Sequence, residues 1–123
     1  MTDHAHAADA IAGLVTDFRR IGDGLGVTQI LVAHVYGVSL DALLAATRKG
    51  RRAAEARQVA MYLAHVALRM NLAAVARNFG RDRATARHAC RRVEEMREDP
   101  ERDRLLARLE MLLRDSAQAG AGQ

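Results

Sequence analysis

Residues 72–97 read LAAVARNFGRDRATARHACRRVEEMR, and two helical periods meeting at a corner can be traced in them. Leu72, Val75, Ala76 and Phe79 recur at three- and four-residue spacing, which gives one apolar face to a two-turn helix. Gly80 closes that helix, because glycine enters the left-handed conformation without a Cβ penalty. Asp82 is placed to cap the next helix and to sit at its positive end. From 83 to 97, Ala86, Ala89, Cys90, Val93 and Met96 form a second apolar face, and Arg83, Ala84, Arg87, His88 and Arg91 lie on the opposite side. A short helix, a tight corner and a longer helix with small inner residues is the helix-turn-helix pattern, in which Ala86 and Ala89 permit close crossing. Spacing alone is a weak signal, because many helical hairpins share it.

The outer face strengthens the reading. Arg83, Arg87 and Arg91 are each four residues apart, so their like charges align and weaken an isolated helix. Something outside the helix is needed to offset that repulsion. Arginine carries five donors in a planar fork suited to guanine edges and phosphates, and each phosphate neutralised releases counterions. The competing reading is a solvated face, or pairing with Glu94 and Glu95.

Working outward, a long helix is predicted over 53–70, with Val59, Leu63, Val66 and Ala67 on its buried stripe and Arg57, Gln58 and Arg69 largely off it. Asn71 both stops it and caps the helix that follows. Upstream, Thr47-Arg48-Lys49-Gly50-Arg51-Arg52 has no apolar residue and reads as an exposed cationic loop. Ser39 caps a short helix reaching Ala46, and Gly37 ends a helix over 27–36. Gly22, Gly24 and Gly26 separate these from a first helix over 8–21, whose Ile11, Leu14, Val15, Phe18 and Ile21 share a side. Downstream, a helix starting near Pro100 buries Leu105, Leu106, Leu109, Leu112 and Leu113. The implied organisation is a disordered start and connector helix over 1–26, one helix-turn-helix domain over 27–116 and a flexible tail over 117–123.

Composition agrees with an all-α chain. The 123 residues are 50% hydrophobic but 3% aromatic, which favours helix-forming Ala, Leu and Arg over strand formers. That length holds one core. The net charge of +4 conceals a division: residues 47–97 hold thirteen of the nineteen basic side chains and four of the fifteen acidic ones. A basic middle with acidic ends is expected of a chain that meets a polyanion with one surface.

Other chemistries find little support. Cys90 is the single cysteine, which excludes an internal disulfide and a cysteine-based zinc site, fits a reducing compartment and reads as a buried structural thiol. His4 and His6 lack a second ligand cluster, and His34, His65 and His88 lie on different helices, so no metal, cofactor or catalytic constellation is expected. No G-x-x-x-x-G-K-[ST] loop is present, and ATP hydrolysis is not expected. No apolar run is long enough to cross a bilayer, and residues 1–9 lack the basic start of a secretion signal, so a cytoplasmic, nucleoid-associated protein is expected.

Two separated motifs carry a family resemblance. Arg57-Gln58-Val59-Ala60-Met61-Tyr62-Leu63-Ala64 resembles the RQ-x-A-M-Y-L opening of the C-terminal domain of the bacterial replication initiator DnaA. Gly80-Arg81-Asp82-Arg83-Ala84-Thr85-Ala86-Arg87-His88-Ala89-Cys90 resembles its GGRDHTTVLHAC signature, and Val93-Glu94 and Asp99-Pro100 continue the likeness. The resemblance covers about 27–113 and implies a compact, Trp-repressor-like helical fold, here as a small standalone relative of the initiator. It implies that Arg57 and Gln58 contact DNA and that Arg48, Arg51 or Arg52 enters the minor groove. It further implies that Asp82, Arg83, Ala84 and Thr85 read bases in the major groove. Arg81, Arg87, His88 and Arg91 complete the expected DNA-facing set.

The chain departs from the signature where one glycine is missing, where Arg83 and Ala84 replace His and Thr, and where Ala86-Arg87 replaces Val-Leu. Phosphate-directed groups are kept or added, while base-directed ones change. The function implied is binding of double-stranded DNA, including sites like the initiator's boxes, to regulate replication initiation or transcription. The other function weighed is a protein-interaction role, in which the domain binds the initiator or a partner that inactivates it.

Overall fold

The computed structural model describes residues 24–45 and 50–121, with side chains described as far as residue 115. The helix expected over 8–21 and Arg48 lie outside the described residues. Among those described there are six helices and no strand: α1 (Gly24–Tyr36), α2 (Leu40–Leu44), α3 (Arg51–Val66), α4 (Leu72–Phe79), α5 (Arg83–Met96) and α6 (Pro100–Ala121).

Helix α3 is the hub and packs against each of the other five. Its burial is therefore wider than the expected stripe: Ala53, Ala56, Val59, Ala60, Met61, Tyr62, Leu63 and Ala64 are all buried. A helix with neighbours on most sides lies inside a domain, and the buried alanines at 53, 56, 60 and 64 let neighbouring backbones approach. Val27, Leu31 and Val32 of α1, Leu43 of α2, Val75 and Phe79 of α4, Val93 of α5 and Leu106, Leu109 and Leu113 of α6 complete one core. Burying each Val- or Leu-sized side chain contributes about 1.5–3 kcal/mol. Leu105 and Leu112, expected to be buried, are half-exposed, because one side of α6 meets the core.

Five boundaries differ from the sequence reading. Helix α1 begins at Gly24 instead of after Gly26. A Cβ at Gly24 would lie 3.2 Å from Leu68 Cδ2, and the Gly24 carbonyl accepts from buried Thr28 Oγ1 at 2.8 Å. Close packing, not chain breaking, accounts for glycine there. Helix α3 starts at Arg51, so Arg51 and Arg52 belong to a helix instead of a loop, and it stops at Val66 instead of Met70. At that stop Arg69 turns left-handed (φ 61°), and the Met70 N–H donates back to the Ala64 carbonyl. Helix α2 ends at Leu44, and α6 continues to Ala121, beyond the expected start of a tail at 117.

The caps are as read. Ser39 Oγ accepts from Ala42 N, Asn71 Oδ1 from Ala74 N and Asp82 Oδ1 from Thr85 N, at 2.7–3.0 Å. Gly37 and Gly80 are left-handed, with φ of 66° and 64°. A Cβ on Gly80 would meet nothing within 4 Å, so the cost of adding one is conformational. A left-handed alanine costs about 1–2 kcal/mol, offset by about 0.4–1 kcal/mol from a stiffer unfolded chain. Gly80→Ala is therefore expected to lower stability by about 1 kcal/mol, measured by urea denaturation with an unchanged m-value.

Candidate nucleic-acid interface

The corner at Gly80 leads directly into α5. The Asp82 carboxylate is held below the usual carboxylate range by its hydrogen bonds to Thr85. This cap is thus present at neutral pH and is lost only as acid titrates it from below the ordinary carboxylate pKa. The inner face of α5 is buried through Ala86, Ala89, Cys90, Val93 and Met96 against α3 and α4, and Ala86 and Ala89 are at most 1% exposed. Alanine at this crossing fixes which side of α5 turns outward. Arg83, Ala84, Thr85, Arg87, His88 and Arg91 are all exposed as a result.

The competing arrangement, with these arginines paired to Glu94 and Glu95, is not found among the described residues. Arg92 takes Glu95 at 3.5 Å, whereas Arg83, Arg87 and Arg91 make no ion pair or hydrogen bond among the described residues. Arg83 also stands in the first turn of α5, where the helix dipole disfavours a cation and the acid at that end is the capping Asp82 just before it. The same inversion recurs at α3, which opens with Arg51 and Arg52 and no acid in its first turn. Arg51 is exposed without a partner among the described residues, and Arg52 Nε donates to the Tyr36 carbonyl at 2.8 Å. Arg51, Arg52, Tyr36 and Glu55 line a shallow depression, where burial first and Glu55 second push the Tyr36 hydroxyl up to about 12.

Two residues of the expected DNA-facing set are engaged elsewhere. Arg57 was expected off the buried stripe, yet it is only 8% exposed. Its Nε donates to the Leu43 carbonyl at 2.8 Å and its Nη2 to the Ala42 carbonyl at 3.1 Å. Burial, and then the charge of Arg81, hold the Arg57 guanidinium below its usual range. Arg81 is half-buried and donates from Nη2 to the Ala45 carbonyl at 2.9 Å, with longer contacts from Nη1 to Phe79 and Gly80. Both guanidiniums thus bond the carbonyl end of α2, where the backbone itself supplies the Ala42 carbonyl with only a long 3.4 Å bond from the Ala45 N–H. Gln58, the next residue of α3, is half-buried.

Arg97, counted in the basic middle of the sequence, is also taken up internally. It bonds Asp103 and Glu110 of α6 and the Tyr62 hydroxyl of α3, with its guanidinium carbon 5.9 Å from the Tyr62 ring centre. Nothing in local spacing marks that role. Arg77 on α4, which the sequence reading left in the charge count, is exposed and unpaired among the described residues.

Cys90 is buried, and its thiol is pushed up to about 11 by burial and by Glu94. Among the described residues no three His, Cys, Asp or Glu side chains gather to hold a metal ion, and no helix is long and apolar enough to cross a membrane.

A two-turn helix, a left-handed glycine corner and a second helix turning an unpaired arginine ridge outward define a helix-turn-helix domain. Comparison with known proteins specifies which kind. Residues 28–93, from α1 into α5, match the bacterial dnaA protein helix-turn-helix family, and the chain belongs to that family. Among curated relatives, the chromosomal replication initiator protein DnaA of Anaplasma marginale is 35% identical over 95 residues, 74% of this chain and 20% of its own. Those of Laribacter hongkongensis and Bartonella quintana are 39% and 42% identical, over 71% and 70% of this chain and 18% and 17% of their own. The chain thus spans a fifth or less of the length of these relatives. No solved structure matches it.

Proposed function

We propose that this chain binds double-stranded DNA through α5 and regulates replication initiation, or transcription, from sites related to those its initiator relatives occupy, acting in the cytoplasm on the nucleoid. The observation carrying this reading is the ridge of Arg83, Arg87 and Arg91, exposed on one face of the second helix of a helix-turn-helix and unpaired with carboxylates among the described residues. In the major groove that ridge directs guanidinium forks to base edges and flanking phosphates. Ala84, Thr85 and His88 supply the smaller contacts beside it. Asp82 holds the amino end of α5, and Arg51, Arg52 and Gln58, with Arg48 outside the described residues, engage the neighbouring backbone or minor groove. The Arg83 and Ala84 replacements shift the balance from base-directed contacts toward phosphate-directed ones.

The test is a labelled duplex bearing an initiator box, and a scrambled duplex, titrated at several salt concentrations. Binding that weakens steeply with salt is expected, with a log–log slope of about −3 or steeper if the three ridge arginines each neutralise a phosphate. A preference for the box supports sequence reading, and equal affinity for both duplexes replaces it with broad DNA binding. Failure of either duplex to bind at low salt overturns the proposal.

A further inference from the structure

We infer that Arg57 and Arg81 are positioning residues that lock α2 to the helix-turn-helix corner, setting the amino end of α3 and the α5 ridge in one fixed register toward a single duplex. This inference rests on the DNA-binding reading above and assigns those two arginines a different task within it.

The geometry is unusual for cations. Arg57 reaches from α3 to the Leu43 and Ala42 carbonyls, and Arg81 reaches from the corner to the Ala45 carbonyl. Two guanidiniums close enough to repel each other are thus gathered at the end of a five-residue helix, with no carboxylate among the described residues bonded to either. Helix α2 is too short to hold itself together, and of its last carbonyls Ala42's receives only a long backbone bond, from the Ala45 N–H at 3.4 Å. Arginine offers several donors at fixed angles, so one side chain joins carbonyls on separate segments, which a lysine ammonium on a flexible stem does less well. Arg81 is also the residue immediately before the α5 cap, Asp82. A pull on Ala45 is therefore transmitted to the start of the reading helix. Arg57 stands in α3 six residues after Arg51, so neighbouring carbonyls at the end of α2, those of residues 42 and 43 for Arg57 and of residue 45 for Arg81, tie the cationic start of α3 to the corner.

The decisive variants are Arg81→Lys and Arg57→Lys in the full chain, which keep the charge and lose the fork. Without DNA, hydrogen exchange of peptides covering 40–45 is expected to rise at least tenfold in Arg81→Lys, while the centre of α3 exchanges as in wild type. With the box duplex, Arg81→Lys is expected to bind at least tenfold more weakly. Its log affinity against log salt slope is expected to be shallower by more than one. Arg51→Ala should weaken wild type but add little in the Arg81→Lys background, because the register joining the two elements is already lost. If Arg81 touched a phosphate directly, lysine would keep the slope and the two substitutions would add.

Unchanged exchange at 40–45, or additive losses with an unchanged slope, overturns the inference. If wild type binds no duplex, the DNA-binding reading fails by itself, and exchange alone then decides whether the clamp exists. Should Arg81→Lys not fold, Arg57→Lys is carried through the same measurements with the same expected signs.

Discussion

Replacing Arg83, Arg87 and Arg91 together by alanine is expected to weaken duplex binding about a hundredfold or more near physiological salt and to leave the protein slightly more stable than before. Each arginine that contacts a base edge contributes about 1–3 kcal/mol. Each phosphate contact removed takes about 0.9 from the log–log salt slope. The triple variant should therefore lose between two and three from that slope, read by fluorescence anisotropy across a salt series. The opposite sign for stability follows from the same geometry. These side chains are exposed, lack partners among the described residues and repel one another at four-residue spacing. Removing such pairs relieves about 0.2–0.5 kcal/mol each, and alanine is the better helix former. A thermal midpoint that holds or rises while binding collapses separates a contact surface from a folding requirement. Wild-type affinity and slope in the triple variant would show that α5 does not face the duplex.

The second large effect concerns Arg97, where the expected outcome is reversed. Arg97→Ala should lower stability by about 3 kcal/mol, the lower end of the range for removing one member of a buried ionic cluster, and thus move the thermal midpoint down by roughly 10–20 °C for a domain of this size. The lower end applies because the cluster is only partly enclosed: the Arg97 side chain is 21% exposed and that of Glu110 is 13% exposed. Without Arg97, Glu110 keeps a 4.0 Å contact to Arg114 and its interaction with the Tyr62 hydroxyl, and that hydroxyl loses its donor. Lysine is not expected to restore stability, since a single ammonium cannot serve Asp103, Glu110 and Tyr62 in their separate directions. The measurement is calorimetric unfolding of Ala and Lys variants. A loss below about 0.5 kcal/mol would place the cluster with ordinary surface pairs. Salt-slope titration of Arg97→Ala below its midpoint should return the wild-type slope, because this guanidinium faces its own fold.

These two arginine groups show how far local reading extends. Arg83, Arg87 and Arg91 share one outer face because helical spacing decides it and the alanines opposite decide the inner side. Arg57, only slightly farther from an apolar stripe in the same kind of pattern, was placed outward and is buried. Periodicity ranks positions around a helix, but α3 has neighbours on almost every side. An arginine facing any of them is covered, provided acceptors await it. The Leu43 and Ala42 carbonyls supply those acceptors. Gly24 and Gly26 were read as chain breakers, and packing against Leu68 makes Gly24 a point of close approach inside α1.

The amino-acid order by itself determined the helical class, the helix-turn-helix corner, the caps at Ser39, Asn71 and Asp82, the left-handed turns at Gly37 and Gly80 and the outward ridge of α5. Each depends on chemistry acting within three or four residues. Tertiary structure decided which basic residues remain free. Arg57 binds acceptors 14 and 15 residues away in the chain, Arg81 one 36 residues away and Arg97 a hydroxyl 35 residues away. A long, forked cation goes where unsatisfied oxygens converge, and that convergence exists only once the helices have packed.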